Sequence, residues 1–461
     1  MAEQQVSSLE LSPIDIKLRS HPAVIVLLWS IAALPVIYFL AMVEWSAVTF
    51  PYWDHIRFAE FLISWHDGTF HLGDLFKPLV QSRPAVPWAV LLLTAIATDW
   101  NIKIEFIYLT ASLIVGFGFL VWGLRQISAE PVVTAAAAAL LSIVWFSPGA
   151  SMNHWFSAMV LETFALMFAT AALMIIAARP WSWPANIMAA VLAWLATYSL
   201  SNGLFLFPAI ALTHQLAGRR PFVPNRFSLF WSANAALIFW LYVPGLQITK
   251  TGTLLETIQF VVVYLGGPLA TLLWYPYAQT GGLQPAEAVI RTWPAFVVGI
   301  VVLSIACAAA LHGFRHLRAQ DRAAFTLFSF LAFAFGCAIV TAYGRSIFGV
   351  SAALATRYSA LSAFMLYGLV LYCVGRIGLR TPGLWLAVPF VMILQPSVVT
   401  YVRAINAYRA IHIFKIVAVD AWSPDGSETQ WDQIVFPVSG AAQFKNARAS
   451  LLRLHLGPYR R

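Results

Sequence analysis

Residues 22–67 read PAVIVLLWSIAALPVIYFLAMVEWSAVTFPYWDHIRFAEFLISWHD, and the two halves of this stretch ask for different surroundings. Residues 22–43 carry no charged side chain and are long enough to cross a bilayer core, which takes roughly 20 apolar residues as a helix. The second half turns polar at once, with Asp54, His55, Arg57, Glu60, His66 and Asp67. From about His55 it also repeats apolar residues at helical spacing, Phe58, Phe61, Leu62 and Trp65, which predicts an amphipathic helix lying in the interface beside the first span.

The remainder of the chain repeats the first half of that pattern. Of its residues 60% are hydrophobic and only 10% charged, a composition that a water-soluble core cannot absorb. Apolar segments recur along nearly the whole length, so one secretory signal does not account for them. Thirteen are visible, near 22–44, 84–98, 102–124, 131–148, 156–178, 183–199, 202–217, 227–246, 257–275, 292–313, 323–343, 357–379 and 383–402. Segment 84–98 is short and 257–275 is interrupted by Gly266-Gly267-Pro268, so both read as re-entrant or interfacial. Leaving those two out puts Lys17, Arg125, Arg179, Arg219, Arg315 and Arg376 on one side of the membrane, as the positive-inside rule asks of the cytoplasm. The expected fold is thus an all-α polytopic membrane protein with about 11 to 13 transmembrane helices and interfacial helices in the first outer loop. A cytoplasmic N-terminus, 1–21, precedes a transmembrane domain, 22–402. An outer tail, 403–461, follows, with a turn at Ser423-Pro-Asp-Gly426 and a closing helix near Gly440 to Leu456.

Several function classes drop out. The net charge of +9 is scattered between apolar segments with no basic stripe, so nucleic acid is not a partner. Cys307, Cys337 and Cys373 lie in apolar runs and form neither a disulfide framework nor a zinc spacing. No P-loop and no soluble Rossmann half is present to hold a nucleotide sugar. No internal repeat of the transporter kind is visible.

The chemistry-bearing residues gather in the outer loops. Loop 45–83 holds Asp54, Glu60, His66, Asp67, His71, Asp74, Lys77 and Arg83. Asp54 stands where an N-cap would satisfy the first amides of the amphipathic helix, and equally where a carboxylate can meet the head of a membrane-held substrate. Lys77 and Arg83 are placed to neutralise a phosphate or to anchor the loop at the interface. His66, His71, Asp67 and Asp74 are the residues that can hold a divalent cation, the one cofactor the loops have room for, although their spacing matches no metal motif and no metal ligand is assigned. Loop 344–356, within Thr341-Ala-Tyr-Gly-Arg-Ser-Ile-Phe-Gly-Val-Ser-Ala-Ala-Leu-Ala-Thr-Arg-Tyr-Ser359, carries Arg345 and Arg357 at its two ends, on the side where cations are disfavoured. Guanidinium binds phosphate bidentately and keeps its charge when desolvated, so a phosphate or a carboxylate from another loop must answer them. Asn153, His154 and Tyr358 add the amide, imidazole and aromatic groups with which proteins bind sugars. Asn202-Gly203 reads as a turn, and Glu162 as an intramembrane acid facing the bundle interior.

These loops resemble those of GT-C superfamily glycosyltransferases, in particular a bacterial branch with a W-D pattern in the first outer loop and a later loop of the form G-R…G…R-Y. Here Trp53-Asp54, Gly344-Arg345 and Arg357-Tyr358 match, as does Ser201-Asn-Gly203; Gln81-Ser82-Arg83 replaces an E-H-R pattern and only Arg83 agrees. The resemblance implies an inverting transfer of a sugar from a polyprenyl-phosphate donor to a glycan or lipid acceptor, at the periplasmic face of a bacterial inner membrane. It implies Asp54 as catalytic base, and Arg345, Arg357, Lys77 and Arg83 about the donor phosphate. Glu60, His66, Asn153, His154 and Tyr358 stand as the sugar or acceptor side. A lipid-linked glycan polymerase or ligase, or a flippase of lipid-linked sugars, is the alternative function.

Overall fold

The computed structural model describes all residues except 1–21, 52–54, 80, 129, 219–222, 247–251, 274–284, 378–383, 422–440 and 460–461. Among the described residues the chain is helical throughout and contains no strand. Its main helices are α1 (Pro22–Ser46), α2 (His55–His66), α3 (Ala85–Thr98), α4 (Ile102–Ile127), α5 (Pro131–Trp145), α6 (Val160–Ala178), α7 (Trp183–Thr197), α8 (Leu206–Ala217), α9 (Arg226–Tyr242), α10 (Leu254–Leu273), α11 (Pro285–Arg318), α12 (Arg322–Arg345), α13 (Phe364–Ile377), α14 (Leu384–Ala421) and α15 (Ala441–Leu454). Among the described residues, eight helical stretches are long and apolar enough to cross a membrane, and α3 and α7 are shorter apolar helices.

The contacts sort helix ends into two groups. At one end lie the close of α4, the starts of α5, α9 and α12, and the closes of α8, α11 and α13. Arg125 lies over Trp29, Asn225 Nδ2 donates to the His214 carbonyl, and Arg376 pairs with Asp321 at 3.0 Å. This end gathers Arg125, Arg226, Arg315, Arg318, Arg322 and Arg376. The other end gathers the close of α1, the start of α2, the Pro148–Ala150 and Met152–Trp155 turns and the close of α12. It bears the acidic loops, and is called the loop end below.

Two of the described apolar helices start and finish at the loop end. The start of α3 is tied to the close of α7 where the Val86 N–H donates to the Tyr198 carbonyl at 3.0 Å, and its close leads into Trp100, which packs against His55 and Phe58. Helix α10 has length and composition enough to cross, yet it lies over that same end. The Gly252 N–H just before it donates to Ser346 Oγ, while Leu272 accepts from Thr400 Oγ1 and Thr271 abuts Gly149. The Gly266-Gly267-Pro268 sequence that predicted an interruption leaves α10 continuous. Its function is close approach: a Cβ on Gly266 would stand 2.2 Å from the Ala295 carbonyl of α11, and one on Gly299 2.1 Å from the Val262 carbonyl.

Two sequence expectations change. The amphipathic helix α2 exists, but Phe58 and Leu62 are buried in protein: Phe61 and Phe58 meet Trp88 and Trp100, and α15 packs on the same helix. Helix α14 does not end at 402 but runs on to Ala421, so the expected boundary between membrane domain and tail falls inside one 38-residue helix. Its outer part is fixed against α1 and α5, with Tyr401 Oη donating to the Ile143 and Phe146 carbonyls and His412 Nδ1 at 2.8 Å from the Trp45 carbonyl. The turn expected at 423–426 lies outside the described residues.

Candidate functional site at the loop end

A buried polar network holds the start of α2. Glu105, in the first turn of α4 where the helix dipole favours a carboxylate, accepts from Trp100 Nε1 at 2.9 Å and from Ser157 Oγ at 2.8 Å. Its Oε2 also lies 2.9 Å from His55 Nε2, and both side chains are 2% exposed. His55 is the first residue of α2. The turn between α3 and α4 aims the Trp100 indole with two consecutive non-glycine residues at positive φ, Asp99 at 50° and Trp100 at 58°. The tail closes over this corner: the Gly457 N–H donates to the Asp99 carbonyl at 2.9 Å, and Arg453 pairs with Asp67 at 3.1 Å. Gly457 sits at φ 61°, close enough to the Trp100 ring that a Cβ there would stand 3.2 Å from it.

The arginine loop is built from three short turns after α12, at Ser346–Phe348, Val350–Leu354 and Thr356–Tyr358, with Gly349 at φ 87° where a side chain would be strained. Arg345 is half-buried, its guanidinium 5.9 Å from the Phe348 ring, and no described carboxylate lies within 4.0 Å of it. Arg357 Nη2 donates to Tyr358 Oη at 2.9 Å and the guanidinium rests over that ring. Tyr358 in turn stands 6.2 Å from Tyr264 of α10, itself in the electrostatic neighbourhood of Thr341 and Glu162. Asn202 Nδ2 donates to Thr341 Oγ1 at 3.4 Å from the neighbouring turn.

The structure joins this loop to the first. A Cβ on Gly344 would stand 2.9 Å from Gln81 Oε1, so glycine there lets the 81–83 segment lie against Gly344-Arg345. The Thr356–Tyr358 turn packs on Pro148–Ala150 and Met152–Trp155, and the Trp155 carbonyl accepts from the Val48 N–H at 3.0 Å. Three loops far apart in sequence therefore meet around 147–159.

The other residues singled out from sequence fall in different places. Arg83 is a structural clamp: Nε donates to the Tyr242 carbonyl at 2.8 Å, and Nη1 and Nη2 donate to the Phe76 and Pro244 carbonyls. A guanidinium that donates to three carbonyls ties loop 76–83 to the close of α9, the anchoring role that the sequence offered beside phosphate binding. Lys77 is exposed and bound to Asp74 at 2.7 Å. That hydrogen bond, with one from the His71 N–H, holds the Asp74 carboxyl below its usual range. Glu60 and His66 are exposed, Glu60 on the side of α2 away from its buried face and His66 as the last residue of the helix. Asp54 lies outside the described residues. No group of three or more His, Cys, Asp or Glu able to hold a metal ion occurs among the described residues.

Asn153 and His154 share the Met152–Trp155 turn and are each 1% exposed. His154 Nδ1 lies within hydrogen-bond distance of Tyr408 Oη, and its ring meets Phe39 edge-on at 4.9 Å. Burial pushes the imidazole from 6.5 down to about 3. The unfolded chain therefore takes up a proton that the folded chain refuses, and stability falls as pH drops below 6.5 toward 3. The unfolding temperature is expected to decline between neutral pH and pH 5, with a slope of up to about 1.4 kcal/mol per pH unit from this group. His154→Phe should flatten that decline; an unchanged slope would show that another group sets it.

Sequence reasoning missed the Glu105, Ser157 and Trp100 network. The available signal was an acid one turn into an apolar segment, as at Glu162. Comparison of the chain with models of known families, with curated proteins and with solved structures finds no match.

Proposed function

We propose that the chain is an inverting glycosyltransferase that moves a sugar from a polyprenyl-phosphate donor to a glycan or lipid acceptor, its loop end facing the periplasm of a bacterial inner membrane. On this reading α3 and α10 do not cross, and eleven of the thirteen apolar segments do. The observation that carries the proposal is Arg345: a half-buried guanidinium at the close of α12, with no described carboxylate to answer it, beside the turn that carries Arg357. A fixed cation at the membrane surface with no carboxylate against it among the described residues is suited to a phosphate brought by a lipid. A transporter would instead concentrate its charges near the bilayer midplane. Here Arg345, Arg357 and most of the described acids stand at the loop end.

The chemistry follows. Asp54, by the resemblance, takes the proton of an acceptor hydroxyl. The hydroxyl oxygen attacks the anomeric carbon from the face opposite the phosphate, and the anomeric C–O bond breaks with inversion. The electron pair leaves on the polyprenyl phosphate, whose charge Arg345 and Arg357 neutralise. A phosphate leaving group needs no strong acid to protonate it.

The direct test is binding of a short-chain polyprenyl phosphate to purified protein in nanodiscs. Arg345→Ala is expected to weaken it by roughly 10- to 100-fold, the worth of charge-assisted hydrogen bonds, with no loss of thermal stability. Arg345→Lys should recover part of the affinity, since it restores charge without the bidentate fork. Wild-type affinity in Arg345→Ala would remove the phosphate site.

A further inference from the structure

One side chain at the loop end is buried in a way its protein surroundings do not explain. The Asn153 carboxamide is 1% exposed, and neither its Nδ2 nor its Oδ1 has a hydrogen-bond partner among the described residues. Buried polar groups are almost always paired, because an unpaired one keeps the full cost of leaving water. Local rearrangement offers no easy release. The turn that carries Asn153 is held at its close by the bond from Val48, and the His154 and Trp155 N–H groups both return to the Ser151 carbonyl. Just before it, the Gly149 N–H donates to Ser147 Oγ. On one side the turn packs against Thr356–Tyr358, where Arg357 and Tyr358 lie.

We infer that the Asn153 carboxamide reads a neutral sugar hydroxyl of the bound lipid-linked substrate. The inference rests on the transferase reading and gives that site its sugar-recognising residue. An unpaired amide offers one kind of donor and one of acceptor side by side, and a hydroxyl is both acceptor and donor. A phosphate oxygen would satisfy Nδ2 and leave Oδ1 facing negative charge. The neighbouring imidazole adds no charge, because His154 is engaged with Tyr408 and stays neutral. The Met152–Trp155 turn thus carries buried, uncharged hydrogen-bonding groups, and the adjoining Thr356–Tyr358 turn carries a cation. That pairing suits a sugar ring joined to a phosphate, and it disfavours an acidic sugar.

The test uses the full chain in nanodiscs and two kinds of probe: a bare short-chain polyprenyl phosphate, and the same lipid phosphate carrying glucose, galactose, mannose or N-acetylglucosamine. Wild type is expected to bind at least one hexosyl form about tenfold more tightly than the bare lipid, the increment that one net hydrogen bond supplies. Asn153→Ala and Asn153→Leu should lose that increment and keep the affinity for the bare lipid. Asn153→Leu, which replaces an unpaired amide by an apolar group of similar size, should also raise the unfolding temperature of the ligand-free protein. If the variants keep the hexosyl preference, or if Asn153→Leu lowers the unfolding temperature, the carboxamide has a structural partner and the inference is overturned. If Asn153→Leu is stabilised and wild type shows no hexosyl preference, the amide holds an ordered water only; the sugar-reading role falls and the phosphate site stands. If wild type binds neither probe, the transferase reading fails and takes this role with it.

Discussion

Asp54→Asn is expected to reduce turnover on the order of 10³-fold while leaving affinity for the lipid-phosphate sugar unchanged, the pattern of a lost general base. The carboxamide keeps the size and the hydrogen-bond acceptor of the carboxylate but cannot take a proton at the anomeric step. Because binding and turnover separate, the measurement is a pair: equilibrium binding of the donor, and release of free polyprenyl phosphate in the presence of an acceptor pool. A variant that turns over normally would make Asp54 a helix cap for α2; asparagine caps as well as aspartate, so the cost of about 1 kcal/mol would then appear in Asp54→Ala and not in Asp54→Asn. A variant that loses binding as well would move Asp54 from base to donor ligand.

The largest structural effect should come from Glu105→Ala. The substitution leaves His55, Ser157 and Trp100 with unanswered donors in a region where His55 and Glu105 are only 2% exposed. Removing one member of a buried pair typically costs about 3–5 kcal/mol, because what remains is buried and uncompensated. Glu105→Gln keeps an acceptor for the Trp100 N–H and should cost much less. The readout is the temperature at which detergent-solubilised protein loses its monodisperse peak. Equal unfolding temperatures for wild type and Glu105→Ala would mean that the start of α2 is held by Phe58 and Leu62 packing alone.

What could be read without the structure divides along a physical line. Composition gave the helical membrane class, since it depends on how many residues must avoid water and not on which ones touch. Shortness and the Gly266-Gly267-Pro268 sequence singled out segments 84–98 and 257–275, the arginine distribution favoured leaving them out as spans, and α3 and α10 are apolar helices whose two ends both lie at the loop end. The loops that carry Arg345, Arg357 and Asn153 were also visible, because polar residues between apolar runs stand out. Long-range pairing was not visible. Nothing near Arg83 announces that its guanidinium is consumed by Tyr242 and Pro244, some 160 residues on. Nothing beside Glu105 in the sequence points to His55 and Ser157, which reach it from about fifty residues away on either side. The Gly-Gly-Pro sequence in α10 was misread as a break because glycine serves close helix contact as readily as it serves a turn.

The two helices that return to the loop end have one more consequence. They add cross-section to one leaflet and none to the other, so a chain seated in a bilayer as proposed here is a wedge, displacing more lipid on the side of its loops than on the opposite side. Crowding of lipid headgroups in that leaflet presses on α3 and on α10, which packs against the arginine loop, while the same crowding in the opposite leaflet meets only the closely tied arginine-rich ends.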